Sequence, residues 1–260
     1  MLCRDSCAVC GESLSMRGKG GMVFMGERPA LQPRLRAIAD LVPPGCRLAD
    51  IGTDHGYIPV DLLLAGRIAH AIATDIGALP LEHARQTADR CGLTDGIDFR
   101  LGDGLAPVSL QEVDTVIIAG MGGDTITEIL SAAPWAREGP LLLLQPMSKA
   151  EVLRTYLPEH GYAVQAERLV ADKGILYPIL TVRGGSMLPA APDEAWGGFL
   201  LQDDPLWGLY LDDRLLRLRR AASGLARARD STAAAKREEV CRVIAALEKK
   251  RGAWENADSR

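Results

Sequence analysis

Five short apolar runs recur along the 260-residue chain, at about residues 47–52, 71–76, 97–102, 114–120 and 140–146. Stretches of helical periodicity follow at about 57–65, 78–91, 123–132 and 148–159. Each such helix is long enough to carry the chain from one strand back to the start of the next. Crossovers of that kind are right-handed and leave the strands parallel, so the alternation predicts a parallel sheet covered by helices on both faces. A further helix precedes the first strand. Leu31, Leu35, Ile38, Ala39 and Val42 recur at helical spacing, and Pro43-Pro44-Gly45 ends the pattern. Two more strand-like runs, 161–170 and 175–183, flank Lys173-Gly174 and read as a hairpin.

Composition changes at "GGSMLPAAPDEAWGG", residues 184–198. Beyond it Leu211, Leu215, Leu218, Ala222 and Leu225 are spaced like a coiled-coil seam, and Val240, Ile244 and Leu247 repeat the spacing. "DST" at 230–232 supplies a turn and a helix N-cap between the two. The expected organisation is an extension over 1–26, an α/β domain over 27–185, a linker over 186–198, an antiparallel helical hairpin over 199–252 and a tail over 253–260. The hairpin is too thin for a core of its own and is expected to lean on the α/β domain.

The first residues raise a separate question. Cys3, Cys7 and Cys10 have the C-x3-C-x2-C spacing that holds an iron–sulfur cluster in radical enzymes. Such a motif should follow a first strand, and none precedes it. Half of a zinc site lacks its second pair nearby. The Gly-rich, Met-bearing stretch that follows is read as a disordered extension, with no metal expected.

The formal net charge of −4 argues against coating nucleic acid by bulk charge but allows a local basic patch. No apolar run is long enough to span a bilayer and no signal pattern is evident, so a cytoplasmic protein is expected.

Ligands of open α/β sheets lie beyond the carboxyl ends of the strands. The first end reads Asp50-Ile51-Gly52-Thr53-Asp54-His55-Gly56, the second ends at Asp75, and Ile76 follows. The third gives Gly102-Asp103-Gly104-Leu105, the fourth Ala119-Gly120-Met121-Gly122-Gly123, the fifth Gln145-Pro146. An acid about 20 residues after a glycine loop suits ribose hydroxyls. An acid after the third strand suits an adenine amine, with Leu105 against the ring. Asp54 stands where a dinucleotide-binding loop would keep a small residue, and its charge would repel a diphosphate. It suits the ammonium and sulfonium of S-adenosyl-L-methionine instead. The candidate cofactor-binding set is Asp50, Gly52, Asp54, His55, Asp75, Ile76, Gly102, Asp103, Gly104, Gly120, Met121 and Gly122.

Five parallel strands closed by a hairpin is the plan of class I methyltransferases, Rossmann-like domains with a seven-stranded, mostly parallel sheet. "DIGTDHGYIP", "GDGL", "AGMGG", "LQP" and "DKGILYPIL" stand in the order found in the TrmK family, which this chain resembles over about residues 31–220. The resemblance implies a methyltransferase using S-adenosyl-L-methionine, a helical C-terminal domain, and methylation of N1 of adenine 22 in tRNA. It implies cofactor roles for Gly52, Asp75 and Asp103, and places Asp54 and His55 at the reaction centre. The cysteine-rich leader is absent from the family, and the second hairpin helix matches only loosely.

Methyl transfer from a sulfonium is an in-line displacement that depends on alignment. A carboxylate near the acceptor could stabilise the charge that adenine gains or take a proton from its amine. Asp54 is the candidate; a helix N-cap or a ligand of the cofactor's amine are its other readings. His55 is a candidate to orient the base and Tyr57 to stack on it. Arg214, Arg217, Arg220 and Arg227 are the candidate RNA contacts, on a helix that could equally be a solvated surface. A monomer or weak dimer is expected. The competing readings are a methyltransferase acting on a small molecule, a non-catalytic protein that binds the same cofactor, and, more distantly, an NAD-dependent oxidoreductase.

Overall fold

The structure is a computed structural model, and it describes residues 28–258 apart from Thr94 and residues 229–231. The cysteine cluster at 3–10 and most of the "DST" turn lie outside the described residues.

Helix α1 (Pro33–Leu41) leads into β1 (Leu48–Ile51), α2 (Tyr57–Leu64), β2 (Ala71–Asp75), α3 (Ala78–Arg90) and β3 (Ile97–Leu101). Then follow β4 (Thr115–Gly122), α4 (Gly123–Ala132), β5 (Leu141–Ser148) and α5 (Ala150–Glu159). The strands β6 (Tyr162–Asp172) and β7 (Ile175–Gly184) form the expected hairpin. All seven strands make one sheet in the order β3-β2-β1-β4-β5-β7-β6. The first five pair in parallel, and β7 pairs antiparallel with β5 and β6.

Alternate residues of the central strands feed two cores, as the period of two requires. Ala49, Ile51, Val116, Ile118, Leu142 and Leu144 pack under α4 and α5 against Ile126, Leu130, Leu153 and Leu157. Leu48, Ile117, Leu141 and Leu143 face the other way, onto Ile38 and Ala39 of α1 and Ile58 and Leu62 of α2. Leu81, Ala84 and Ala88 recur on the buried face of α3, and Ala88 packs with Ala73 and Ile97 beside β2 and β3.

The break between the two parts holds a short helix, α6 (Pro192–Gly197). Beyond it, α7 (Trp207–Arg227) and α8 (Ala233–Asp258) form the helical hairpin. Leu211, Leu215 and Leu218 of α7 meet Val243 and Leu247 of α8, and Leu169 of β6 joins the same cluster. The hairpin therefore shares its core with the sheet. Helix α8 runs past residue 252, where the seam pattern stops. Trp254 explains the extension, because its ring lies against Gly208 of α7, where an added Cβ would come within 2.4 Å.

Candidate active site at the carboxyl ends of the strands

Strand β1 has β2 on one side and β4 on the other, so the chain reverses its direction of travel across the sheet there. The loops after β1 and β4 diverge and leave a crevice between them. The β1 loop turns through three left-handed residues in a row of five: Gly52 (φ +69°), Asp54 (φ +52°) and Gly56 (φ +67°). The left-handed φ of Gly52 favours glycine, and the Met121 methyl lies where a Cβ would stand, 2.2 Å from it. Asp54 thus occupies a backbone position that disfavours most side chains and that Asp and Asn tolerate best. Its amide donates to Asp75 Oδ2 at 3.3 Å, and its own side chain is 68% exposed. The N-cap of α2 is Gly56, so the helix-cap reading of Asp54 is set aside.

Asp50 lies beneath this loop, 5% exposed. Its pKa is raised to about 6, first by burial and further by the Asp75 charge, against the Thr53 hydroxyl that donates to Asp50 Oδ2 at 2.7 Å. A buried carboxylate with one hydroxyl partner is receptive to a cation.

At the second strand end, Asp75 Oδ1 accepts from the Gly77 amide at 2.9 Å. Asp75 therefore ties its own turn to the β1 loop, and each of its oxygens keeps a lone pair for a hydroxyl donor. Ile76 after β2, Leu79 in the first turn of α3 and Leu101 at the end of β3 are exposed apolar side chains. Asp103 is exposed between Gly102, whose Cβ would lie 2.9 Å from Pro107, and Gly104 (φ +51°), held against Ile129. Leu105 corrects the sequence reading. It is 2% exposed in the core below α4, so it cannot lie against a bound ring.

The fourth strand runs through Gly120 and Met121 to Gly122, with irregular pairing around Met121, and Gly123 opens α4. A Cβ on Gly123 would sit 2.0 Å from the Lys149 carbonyl, which explains that glycine by backbone contact. Met121 folds back over Gly52. Gly122 lies beside Asp124, and Asp124 Oδ2 accepts from the Lys149 amine at 2.6 Å.

Between the β1 and β4 ends opens a cavity of about 190 Å³ lined by Asp50, Gly52, Asp54, His55, Tyr57 and Gly120, with Arg34 and Met147 completing the wall. The His55 ring stacks on Tyr57 (centroids 5.2 Å apart) and on His83 of α3 (5.1 Å). Stacking with both rings fixes the plane of His55, and its Nε2 lies 3.7 Å from Asp54 Oδ2. One face of Tyr57 is likewise occupied. Arg34, Met147 and His83 have no place in the motifs and come to the site only through the fold.

The four arginines of α7 separate. Arg214 is 8% exposed, with its guanidinium over the Tyr210 ring (4.7 Å) and on Asp213 (2.6 Å), so it is a packing residue and the RNA-contact reading does not hold for it. Arg217 is half-exposed and paired with Asp213 at 3.0 Å. Arg220 and Arg227 are exposed, and among the described residues no carboxylate lies within 4.0 Å of either. Neighbouring Arg219 is paired with Glu248 and Arg251 with Asp212, which trims the basic stripe.

Among the described residues no helix is long and apolar enough to cross a membrane, and no group of three His, Cys, Asp or Glu is placed to hold a metal ion.

Residues 31–180 match the family described as "Methyltransferase domain". The tRNA (adenine(22)-N(1))-methyltransferase of Bacillus subtilis (strain 168) is 35% identical over 182 residues, 70% of this chain and 74% of that protein. The crystal structure of the B. subtilis m1A22 tRNA methyltransferase TrmK superposes with a TM-score of 0.77 at 27% identity, covering 85% of this chain and 99% of that one. A Streptococcus pneumoniae protein solved in complex with S-adenosyl-L-methionine gives a TM-score of 0.75 at 29% identity, over 85% and 100% of the two chains. The fold is the Rossmann-like methyltransferase fold, and the chain belongs to the TrmK family of bacterial tRNA (adenine-22-N1)-methyltransferases.

Proposed function

We propose that this protein transfers the methyl group of S-adenosyl-L-methionine to N1 of adenine 22 in tRNA. The observation that carries the reading is the cavity at the β1/β4 crevice, in which the family's Asp54-His55 pair stands beside a buried, cation-receptive Asp50. The residues fit this cofactor. Four carboxylates at the ends of β1, β2 and β3, Asp50, Asp54, Asp75 and Asp103, suit hydroxyls, amines and a sulfonium, and would repel a diphosphate.

Bound there, S-adenosyl-L-methionine supplies an electrophilic methyl group. Asp75 accepts from the ribose hydroxyls and Asp103 from the adenine amine, while exposed Ile76 flanks the adenine ring. Asp50 and the β1 loop hold the methionine end. The acceptor adenine enters over Gly120 and Met147. In folded RNA its N1 edge is engaged by pairing, so the base is expected to leave its stack. Asp54 faces the charge that appears on the methylated ring. His55, stacked with Tyr57 and His83, offers a hydrogen bond that orients the base. Arg217, Arg220 and Arg227 contact RNA phosphates, with Arg217 first leaving Asp213. The setting proposed is the cytoplasm.

The test is incubation with labelled S-adenosyl-L-methionine and unmodified bulk tRNA, followed by nucleoside mass spectrometry. The expected product is 1-methyladenosine. Label on another nucleoside, or on none, would overturn the reading.

A further inference from the structure

Among the described residues, Asp54, Lys149 and Lys173 adopt a left-handed backbone without being glycine. Asp54 lines the cavity and Lys173 turns the β6–β7 hairpin. Lys149 (φ +53°) stands between β5 and α5. That conformation is costly for a residue with a Cβ, so the surroundings must enforce it. Here the Lys149 carbonyl abuts Gly123, where an added Cβ would come within 2.0 Å, and the preceding Ser148 pairs with Gly122 of β4. Lys149 is thereby wedged at the joint of the β4 and β5 ends. Met147, two residues before it, lines the cavity.

The side chain lies over the same joint. Lys149 Nζ donates to Asp124 Oδ2 at 2.6 Å, and a Cβ on Gly122 would come within 2.5 Å of Asp124 Oδ1. Both side chains of the pair stay about half exposed. Among the described residues no second carboxylate lies within 4.0 Å of this ammonium.

The charges around the cavity set a problem for a polyanion. Asp54 and Asp103 are exposed there and Asp75 partly so, and each repels a phosphate. Arg34 is held within the wall by Gln145. The free arginines of α7 belong to the hairpin, which shares its core with β6 at one edge of the sheet. The cavity opens at β1 and β4, and β5 stands between them and that edge. An adenine seated over Gly120 and Met147 brings its own phosphates to the rim, where the Lys149 ammonium can meet one.

We propose that Lys149 binds a backbone phosphate beside the target adenine, and that Asp124 is its latch, holding the ammonium until the phosphate displaces the carboxylate. The inference rests on the RNA reading above. An exposed ion pair is weak, because water and salt screen it, so its exchange for a charge-assisted bond to phosphate costs little. Before that exchange the pair keeps the rim neutral. The contact positions the nucleotide and reads no sequence.

The test is tRNA binding, with its salt dependence, for the wild type, Lys149→Gln, Lys149→Arg, Asp124→Asn and the double variant Lys149→Gln with Asp124→Asn. Lys149→Gln should raise the dissociation constant about 3- to 10-fold and flatten the salt slope by about 0.7–0.9, the share of one phosphate. Lys149→Arg should restore both. Asp124→Asn should tighten binding about 2- to 5-fold, because no pair has to open. That gain should vanish in the double variant, which has no ammonium to release. Unchanged affinity and slope in Lys149→Gln would overturn the proposal. So would an Asp124→Asn protein that binds no better than wild type, a result that needs no change at the left-handed position. A gain that survives in the double variant would make Asp124 a plain repelling charge and end the latch. Failure of the RNA reading has a different signature, because the wild type would then bind no tRNA.

Discussion

Arg154 of α5 and Glu167 of β6 meet through Nε and Oε1 at 2.7 Å, with both side chains wholly buried. The pair joins four elements. Arg154 Nη1 donates to the Ala195 carbonyl of α6 and to the Tyr210 hydroxyl of α7, while Glu167 Oε2 accepts from the Phe199 and Leu200 amides. Burial alone would favour a neutral Arg154, but Glu167 and Tyr210 outweigh it and raise its pKa. Arg154→Met should therefore cost about 3–5 kcal/mol in urea unfolding, since it leaves Glu167 buried and unpaired. Arg154→Met with Glu167→Leu should recover only part, because two backbone amides lose their acceptor. A single variant within about 1 kcal/mol of wild type would remove the pair from its structural role.

Asp50 predicts a pH dependence. Its folded-state pKa of about 6 exceeds the unfolded value of roughly 3.9. Native Asp50 thus favours its proton, and the stability this gives is full below about pH 3.9 and lost as pH rises through about 6. Asp50→Asn lacks this loss, so relative to wild type it should gain up to roughly 3 kcal/mol between pH 4 and 7. Cofactor binding should also strengthen with pH across that window in the wild type and release a proton near pH 6, measurable by calorimetry in two buffers. Parallel pH profiles for variant and wild type would argue against the shift.

Asp54→Asn keeps the left-handed turn, which Asn tolerates, while Asp54→Ala would add backbone strain of about 1–2 kcal/mol. The Asn variant isolates the charge. It should bind S-adenosyl-L-methionine and tRNA while single-turnover methyl transfer falls about 100-fold. If saturating cofactor restores the rate, Asp54 holds the cofactor's amine and does not act on the base.

His83→Ala removes one ring from the Tyr57–His55–His83 stack and leaves the imidazole edge less fixed. Single-turnover transfer should fall about 3- to 10-fold, with KM for tRNA little changed, and His83→Phe should recover most of it. Equal rates for Ala and Phe variants would mean that the stack has no part in orienting His55.

Charge reversal at Arg220 and Arg227 should raise the tRNA dissociation constant and flatten its salt dependence, by about 0.7–0.9 in slope for each phosphate no longer neutralised. Affinity for S-adenosylhomocysteine should stay where it was. Arg214→Met should alter stability and not the salt slope. An unchanged slope in the double reversal would assign the hairpin another task.

The sheet is legible in the sequence because strand and helix periods differ and the core obeys both. The carboxylates at the strand ends are legible for the same reason, since a strand's end dictates where the next side chains emerge. Arg34 and His83 are not, because a lone cation or imidazole on a helix looks like a solvated residue until tertiary packing turns its face to a cavity. Leu105 misleads because Asp103 and Gly104 turn the chain inward before it. Arg214 carries its own warning. It lies three residues after Leu211 and four before Leu218, on the face that α7 buries.

Along β6 the ladder to β7 skips at Gln165, which is exposed and has no partner between Val164↔Val182 and Ala166↔Thr181. The skip reverses parity. Tyr162 and Val164 point to the α4–α5 side, and past the skip it is Glu167 and Leu169 that do so, while Arg168 turns to the Ala37 carbonyl of α1. Deleting that one surface residue would restore strict alternation and exchange the two sets. Glu167 would then face α1, the helix that carries Arg34, and Arg168 would face the hairpin. Gln165 acts as a frameshift in space, and everything the chain builds from residue 166 onward is written in the frame it sets.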